Sequence, residues 1–106
     1  MENNQLIYNS IAGDIEYQAN SIVSKQLLKK QNGNVTLFAF DKNESLTEHT
    51  SPFDALVMVI DGKLEIKLAG VPHLVSTGEY MVMPADIAHG LVAVEQTKMV
   101  LIMIKG

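Results

Sequence analysis

The chain has 106 residues, of which 47% are apolar and 19% charged, and its net charge is −4. These values fit one globular domain with a single modest core, and they exclude an intrinsically disordered chain. No cysteine occurs and all eight cations are lysine, which removes disulfides, thiolate chemistry and any guanidinium fork for phosphate, while the lack of a basic run argues against nucleic acid.

In chain order, Met1–Gln5 is polar without a basic stretch, so it does not read as a secretory leader. No later segment reaches the ~18 apolar residues of a membrane span. A cytoplasmic protein without a membrane partner is expected. Residues 1–20, with Leu6, Ile7, Ile11 and Ile15 spaced along them, read as an N-terminal arm.

From there, short apolar runs alternate with turn chemistry. Strands are predicted near Ile22–Leu28, Val35–Asp41, Ala55–Ile60, Lys63–Leu68, His73–Val75, Tyr80–Met83, His89–Glu95 and Met99–Ile104. Asn32-Gly33, Asp61-Gly62, Ala69-Gly70, Thr77-Gly78 and Pro84-Ala85-Asp86 punctuate them. Glycine and asparagine tolerate positive φ, and aspartate bonds its own backbone, so such dipeptides reverse the chain. Many short strands with few helix signals predict an all-β antiparallel sandwich or barrel. Glu44 and Glu48, four apart between the second and third of these strands, read as part of a solvated loop.

Lys63, Glu65 and Lys67 alternate with Leu64, Ile66 and Leu68, giving one wet face and one buried face. Ala55–Ile60 and Met99–Ile104 are apolar on both faces and need cover on both. A homodimer is expected to supply the second cover, with the arm sharing that role.

Three histidines occur, His49, His73 and His89. A lone histidine is usually inconsequential, but His49 and His89 each lie where a strand begins, at the lip of a sheet, where binding sites favour a rigid backbone beside an open mouth. His73 is two residues before Val75, so it faces inward if Val75 does. Its expected place is deep in the barrel or at the far rim. Met58, Met81, Met83, Met99 and Met103 read as core, with a methionine-lined pocket as the alternative. Phe53 is near enough to His49 to line a pocket mouth.

From about Val35 to Ile104 the chain resembles the small single-domain cupins. Gly78, Pro84 and His89 follow their second motif, G-x5-P-x-G-x2-H-x3-N, with Asp86 at its second glycine and Ala93 at its asparagine. Asn43, His49, Ser51, Ala55 and Gly62 fall on their first motif, G-x5-H-x-H-x3,4-E-x6-G, with only His49 and Gly62 matching. The resemblance implies an all-β antiparallel double-sheet jelly-roll barrel over 35–104 within one domain, 1–106, and an inward row of Ala55, Val57 and Val59 facing His89, Leu91 and Ala93. Of the family's four metal donors, three histidines and a glutamate, only His49 and His89 remain. Serine and alanine replace the others, so the resemblance implies at most a loosely held Fe, Mn, Ni or Zn ion on His49 and His89. His49 and His89 are expected to face each other across one cavity. The candidate ligand-binding residues are His49, Ser51, Phe53, Ala55 and His89. The functional expectation is a module that binds a small organic molecule. The alternatives are a cupin enzyme, either a metal-dependent oxygenase or a metal-free acid–base catalyst using His49 or His89, and a purely structural role.

Overall fold

The computed structural model describes residues 6–106, so the first five residues of the expected arm lie outside it. Nine strands follow the arm: β1 (Ile22–Lys30), β2 (Gly33–Phe40), β3 (Ser45–His49), β4 (Asp54–Asp61), β5 (Lys63–Leu68), β6 (Val71–Ser76), β7 (Tyr80–Met83), β8 (His89–Ala93) and β9 (Thr97–Ile104). They form a five-stranded sheet in the order β1-β2-β9-β4-β7 and a four-stranded sheet in the order β3-β8-β5-β6. Every pairing is antiparallel, and the two sheets face each other as a cupin-type jelly roll. Among the described residues no helix is long and apolar enough to cross a membrane.

The alternation read from the sequence sets the faces. Ala55, Val57 and Val59 on β4 are buried between the sheets with Leu64 and Ile66 of β5, Leu91 and Ala93 of β8, Phe40, Met83 and Met99. A second core lies on the outer face of the larger sheet. There Ile15 of the arm covers Leu37, Ala39 and Val100, with Tyr17, Val23, Val35, Ile60 and Ile102 packed around them. Polar contacts fasten the arm: the Tyr17 hydroxyl donates to Asp61 Oδ2 at 2.6 Å, Lys98 Nζ to the Ala12 carbonyl at 2.6 Å, and Lys25 Nζ to Asp14 Oδ1 at 2.8 Å. The Asn20 amide donates to Asp41 Oδ2 at 2.7 Å, which ties the end of the arm to the end of β2.

Cover by the arm is partial. On the outer face Leu56 lies between Val82 and Ile102, and Met58 between Tyr80 and Val100. Val100 is buried, whereas Met58, Val82 and Tyr80 remain 41%, 51% and 66% exposed.

Turns follow the predicted residues except between β1 and β2, where Gln31-Asn32 turn and Gly33 already belongs to β2; among the described residues four non-glycine residues adopt positive φ. Asn43 (φ 72°) stands at the first-motif glycine and Asp86 (φ 66°) at the second-motif glycine. Asparagine and aspartate are the side chains that visit this region most readily, so both positions keep a glycine-like backbone without glycine. Ala69 and Gly70 (φ 51° and 81°) form the two-residue β5–β6 hairpin, in which both turn residues need positive φ. Gly62 (φ 103°) turns β4 into β5 where a Cβ would strike the Gln96 carbonyl and come within 2.8 Å of Thr97 Cα.

Two expectations need correction. The segment Ser45–His49 is a strand, not a loop: it is the edge of the smaller sheet, exposed except at Leu46, so its single apolar residue gave no alternation to read. His73 is not in the core. It pairs with the buried Ile66 but is exposed, because β6 and β7 are the unpaired edges of the two sheets and the barrel is open between them. His73 lines a shallow depression there with Tyr80 and Met81.

Candidate functional site

The site begins with an irregularity in β3. Leu46 pairs with Leu91 and His49 with His89, so two residues, Thr47 and Glu48, oppose Gly90 alone. Leu46 faces the core. Strict alternation would point a residue three positions later outward, but the extra residue of the bulge reverses the phase and brings His49 onto the inner face. Gly90 permits the close approach, since a Cβ there would lie 3.0 Å from the Glu48 amide nitrogen.

Two imidazoles result, paired across neighbouring strands with ring centroids 4.5 Å apart and planes at 61°. His89 is 9% exposed, while His49 forms the exposed rim. Both rings are held in the same way. Nδ1 of His49 lies 2.8 Å from the Thr47 carbonyl and Nδ1 of His89 lies 3.1 Å from the Ile87 carbonyl. A carbonyl only accepts, so each neutral ring carries its proton on Nδ1 and leaves the Nε2 lone pair free.

Behind the pair lies a cavity of about 80 Å³. Ala55, Val57, Met83, Met99, Leu101 and Met103 form its larger-sheet wall, and Leu46, Gly90 and Leu91 its other side. Ala55 pairs with Met83 on β7 and Met103 on β9, so a methyl group sits between two long thioethers. Of the residues expected to bind ligand, His49, Ala55 and His89 line this cavity; Ser51 and Phe53 do not. The Ser51 hydroxyl accepts from the Phe53 amide at 3.2 Å and its carbonyl accepts from the Asp86 amide at 2.8 Å. Ser51 therefore joins the two motif loops. Asp54 does the same from outside the cavity, its Oδ1 accepting from the Ala85 amide at 2.8 Å. Sequence reasoning missed Leu46 and Leu101 as lining residues. It singled out the methionines only as a group, and the pairing of Met83 and Met103 with Ala55 was the signal that distinguishes them.

The metal tetrad implied by the resemblance does not fit these residues. Ser51 is engaged in its turn and Ala55 has no donor atom. Among the described residues no group of three or more His, Cys, Asp or Glu side chains could hold a metal ion.

A family model described as "Cupin domain" matches residues 36–105. A conserved Streptococcus pyogenes protein of unknown function is 30% identical, with 100% of this chain and 91% of that one covered at a TM-score of 0.89. A cupin 2 conserved barrel domain protein from Leptotrichia buccalis is 45% identical over 89% of this chain and 46% of that longer one, with a TM-score of 0.84. KdgF from Halomonas sp. is 24% identical over 87% of this chain and 88% of that one, with a TM-score of 0.74, a likeness of fold alone. A search of the curated proteins returned no match. With the matched segment spanning β2 to β9 and both motif histidines on one cavity wall, this chain is a member of the cupin family.

Proposed function

We propose that the protein is a binding module for a small organic molecule. One observation carries this reading: a largely apolar cavity whose strongly polar groups, among the described residues, are two imidazoles with their Nε2 lone pairs free. Few convergent polar groups on an apolar wall are the usual make-up of a small-molecule site. At about 80 Å³ the cavity is smaller than the ~150 Å³ that encloses benzene, so it takes only the edge of an apolar group, the rest of the ligand lying in the open mouth beside His49. A hydroxyl or protonated acid at the mouth donates to Nε2 of His49 or His89. Phenol is a suitable probe. With ¹³C-methyl methionine, the Met83, Met99 and Met103 signals are expected to shift together on titration with phenol while Met58, on the outer face, stays still. If none of the three moves at millimolar phenol, the reading fails. The same free lone pairs favour a second reading, acid–base catalysis with His89 as the base.

The proposal includes a homodimer through the outer face of the larger sheet. Met58, Tyr80 and Val82 form an apolar patch beside the arm, whose Leu6, Ile7 and Tyr8 are more than 80% exposed. Each such side chain left in water forgoes up to roughly 1.5–3 kcal/mol of burial, and symmetric pairing is the commonest closure. Light scattering is expected to give about twice 11.6 kDa, falling to the monomer in Met58→Lys. A monomeric wild-type protein refutes the pairing.

A further inference from the structure

The cavity contains a donor set that the cupin tetrad does not describe. Met83 and Met103 flank Ala55 in one row across β7, β4 and β9, and the facing sheet presents His49 and His89. Adjacent antiparallel strands are ~5 Å apart at Cα, and alanine between two methionines leaves room above its methyl for both flexible side chains. Met99 lines the same cavity further along. We propose that this site binds one Cu(I) ion through Nε2 of His49 and His89 and the thioether sulfurs of Met83 and Met103. The proposal rests on the same cavity as the reading above, but not on any organic ligand.

Three arguments support it. First, thioethers are soft donors that select Cu(I), whereas Fe(II), Mn(II) and Zn(II) prefer imidazole combined with carboxylate or thiolate. Second, among the described residues no carboxylate lines the cavity. The cost of burying an ion rises with the square of its charge, so a neutral donor set tolerates a monovalent ion far better than a divalent one. Third, the imidazoles are prepared as ligands. Each Nδ1–H is held by a backbone carbonyl, the outer-shell contact that fixes the tautomer of a metal-binding histidine. Their centroid separation of 4.5 Å is short enough for one ion to lie ~2.0–2.1 Å from both Nε2 atoms. The replacement of the family's glutamate by Ala55 thus changes the class of ion favoured, from hard or borderline divalent to soft monovalent.

Anaerobic competition with the coloured Cu(I)–bicinchoninate complex tests this, using the metal-free full chain. The protein is expected to withdraw one equivalent of Cu(I). Met83→Leu with Met103→Leu keeps volume and apolarity, and is expected to weaken Cu(I) binding at least tenfold. His89→Ala should weaken it as well. Met58→Leu, on the outer face, should leave Cu(I) binding unchanged. Failure to take Cu(I) from the chelator, or an undiminished affinity in the double leucine variant, overturns the proposal. The phenol titration reads the organic-ligand site separately, so the two can fail independently.

Discussion

Ala55→Leu distinguishes a cavity kept for binding from slack in a core. Ala55 is 4% exposed and sits between Met83 and Met103 on the wall of the cavity. Leucine adds three carbons directed into that space. Cavity volume is worth ~24 cal/mol per Å³, so filling about 80 Å³ would contribute at most ~2 kcal/mol. The cavity is open at the exposed His49 rim, so half of that, ~1 kcal/mol, is the working figure. For a domain of this size it corresponds to a rise in Tm of ~4–8 °C. The assay is thermal unfolding followed by calorimetry, paired with the phenol titration. Ala55→Leu should be more stable and should no longer respond to phenol, the exchange of function for stability expected of a retained cavity. Were Met83 and Met103 already closing the space, leucine would overpack it at a cost of ~1–3 kcal/mol. A lowered Tm, or phenol shifts that survive the substitution, would refute the reasoning.

Other outcomes follow from single contacts. Gly62→Ala combines a positive φ with a collision against the Gln96 carbonyl; the φ term alone costs ~1–2 kcal/mol, and the urea midpoint should fall accordingly or the chain should not fold. Asp86→Gly should leave that midpoint nearly unchanged, while Asp86→Ala lowers it by the equivalent of ~1 kcal/mol, because only alanine resists the left-handed backbone. Burial first, then the hydrogen bond and charge of Asp61 and the charge of Glu95, raise the Tyr17 hydroxyl well above its ordinary value. The unfolded chain therefore gives up this proton first, so the associated stability is fully present below pH ~10 and is lost as pH rises further. Comparing urea midpoints of the wild type and Tyr17→Phe from pH 9 to 11.5 should show that step only in the wild type. Ser51→His with Ala55→Glu should create a Ni(II) or Zn(II) site visible by calorimetric titration, and no gain would show that the first-motif register is wrong.

The parts of this fold legible in the sequence are those where burial imposes a period. Ala55, Val57 and Val59 alternate with Leu56, Met58 and Ile60, and Leu64 with Glu65, because each strand has two distinguishable environments. β3 was illegible for the opposite reason: at an edge, Ser45, Thr47 and Glu48 are exposed around a single apolar Leu46, and a bulge then breaks the period at the position that matters most. His49 was found through motif spacing, while its inward direction depends on the bulge, which spacing does not encode. His73 was misplaced because alternation gives the face of a strand but not whether the opposite sheet extends far enough to cover it. Ser51 carried a ligand's position in the motif, yet its hydroxyl serves a turn, a contact decided by the Phe53 amide and the Asp86 loop.

The place of β9 bears on when the protein can fold during synthesis. Of the nine strands described it is made after all the others, yet it lies between β2 and β4, with Gly33 and Asp54 both paired to Ile104. Until Thr97–Ile104 has emerged, β2 and β4 each lack a neighbour and expose apolar strand edges, the state most prone to mispairing. The smaller sheet is complete one strand earlier, at Ala93. Pairings that span most of the chain also make closure slow. The decisive step of folding therefore waits for Thr97–Ile104, and a chain stalled before Thr97 leaves the apolar edges of β2 and β4 unpaired.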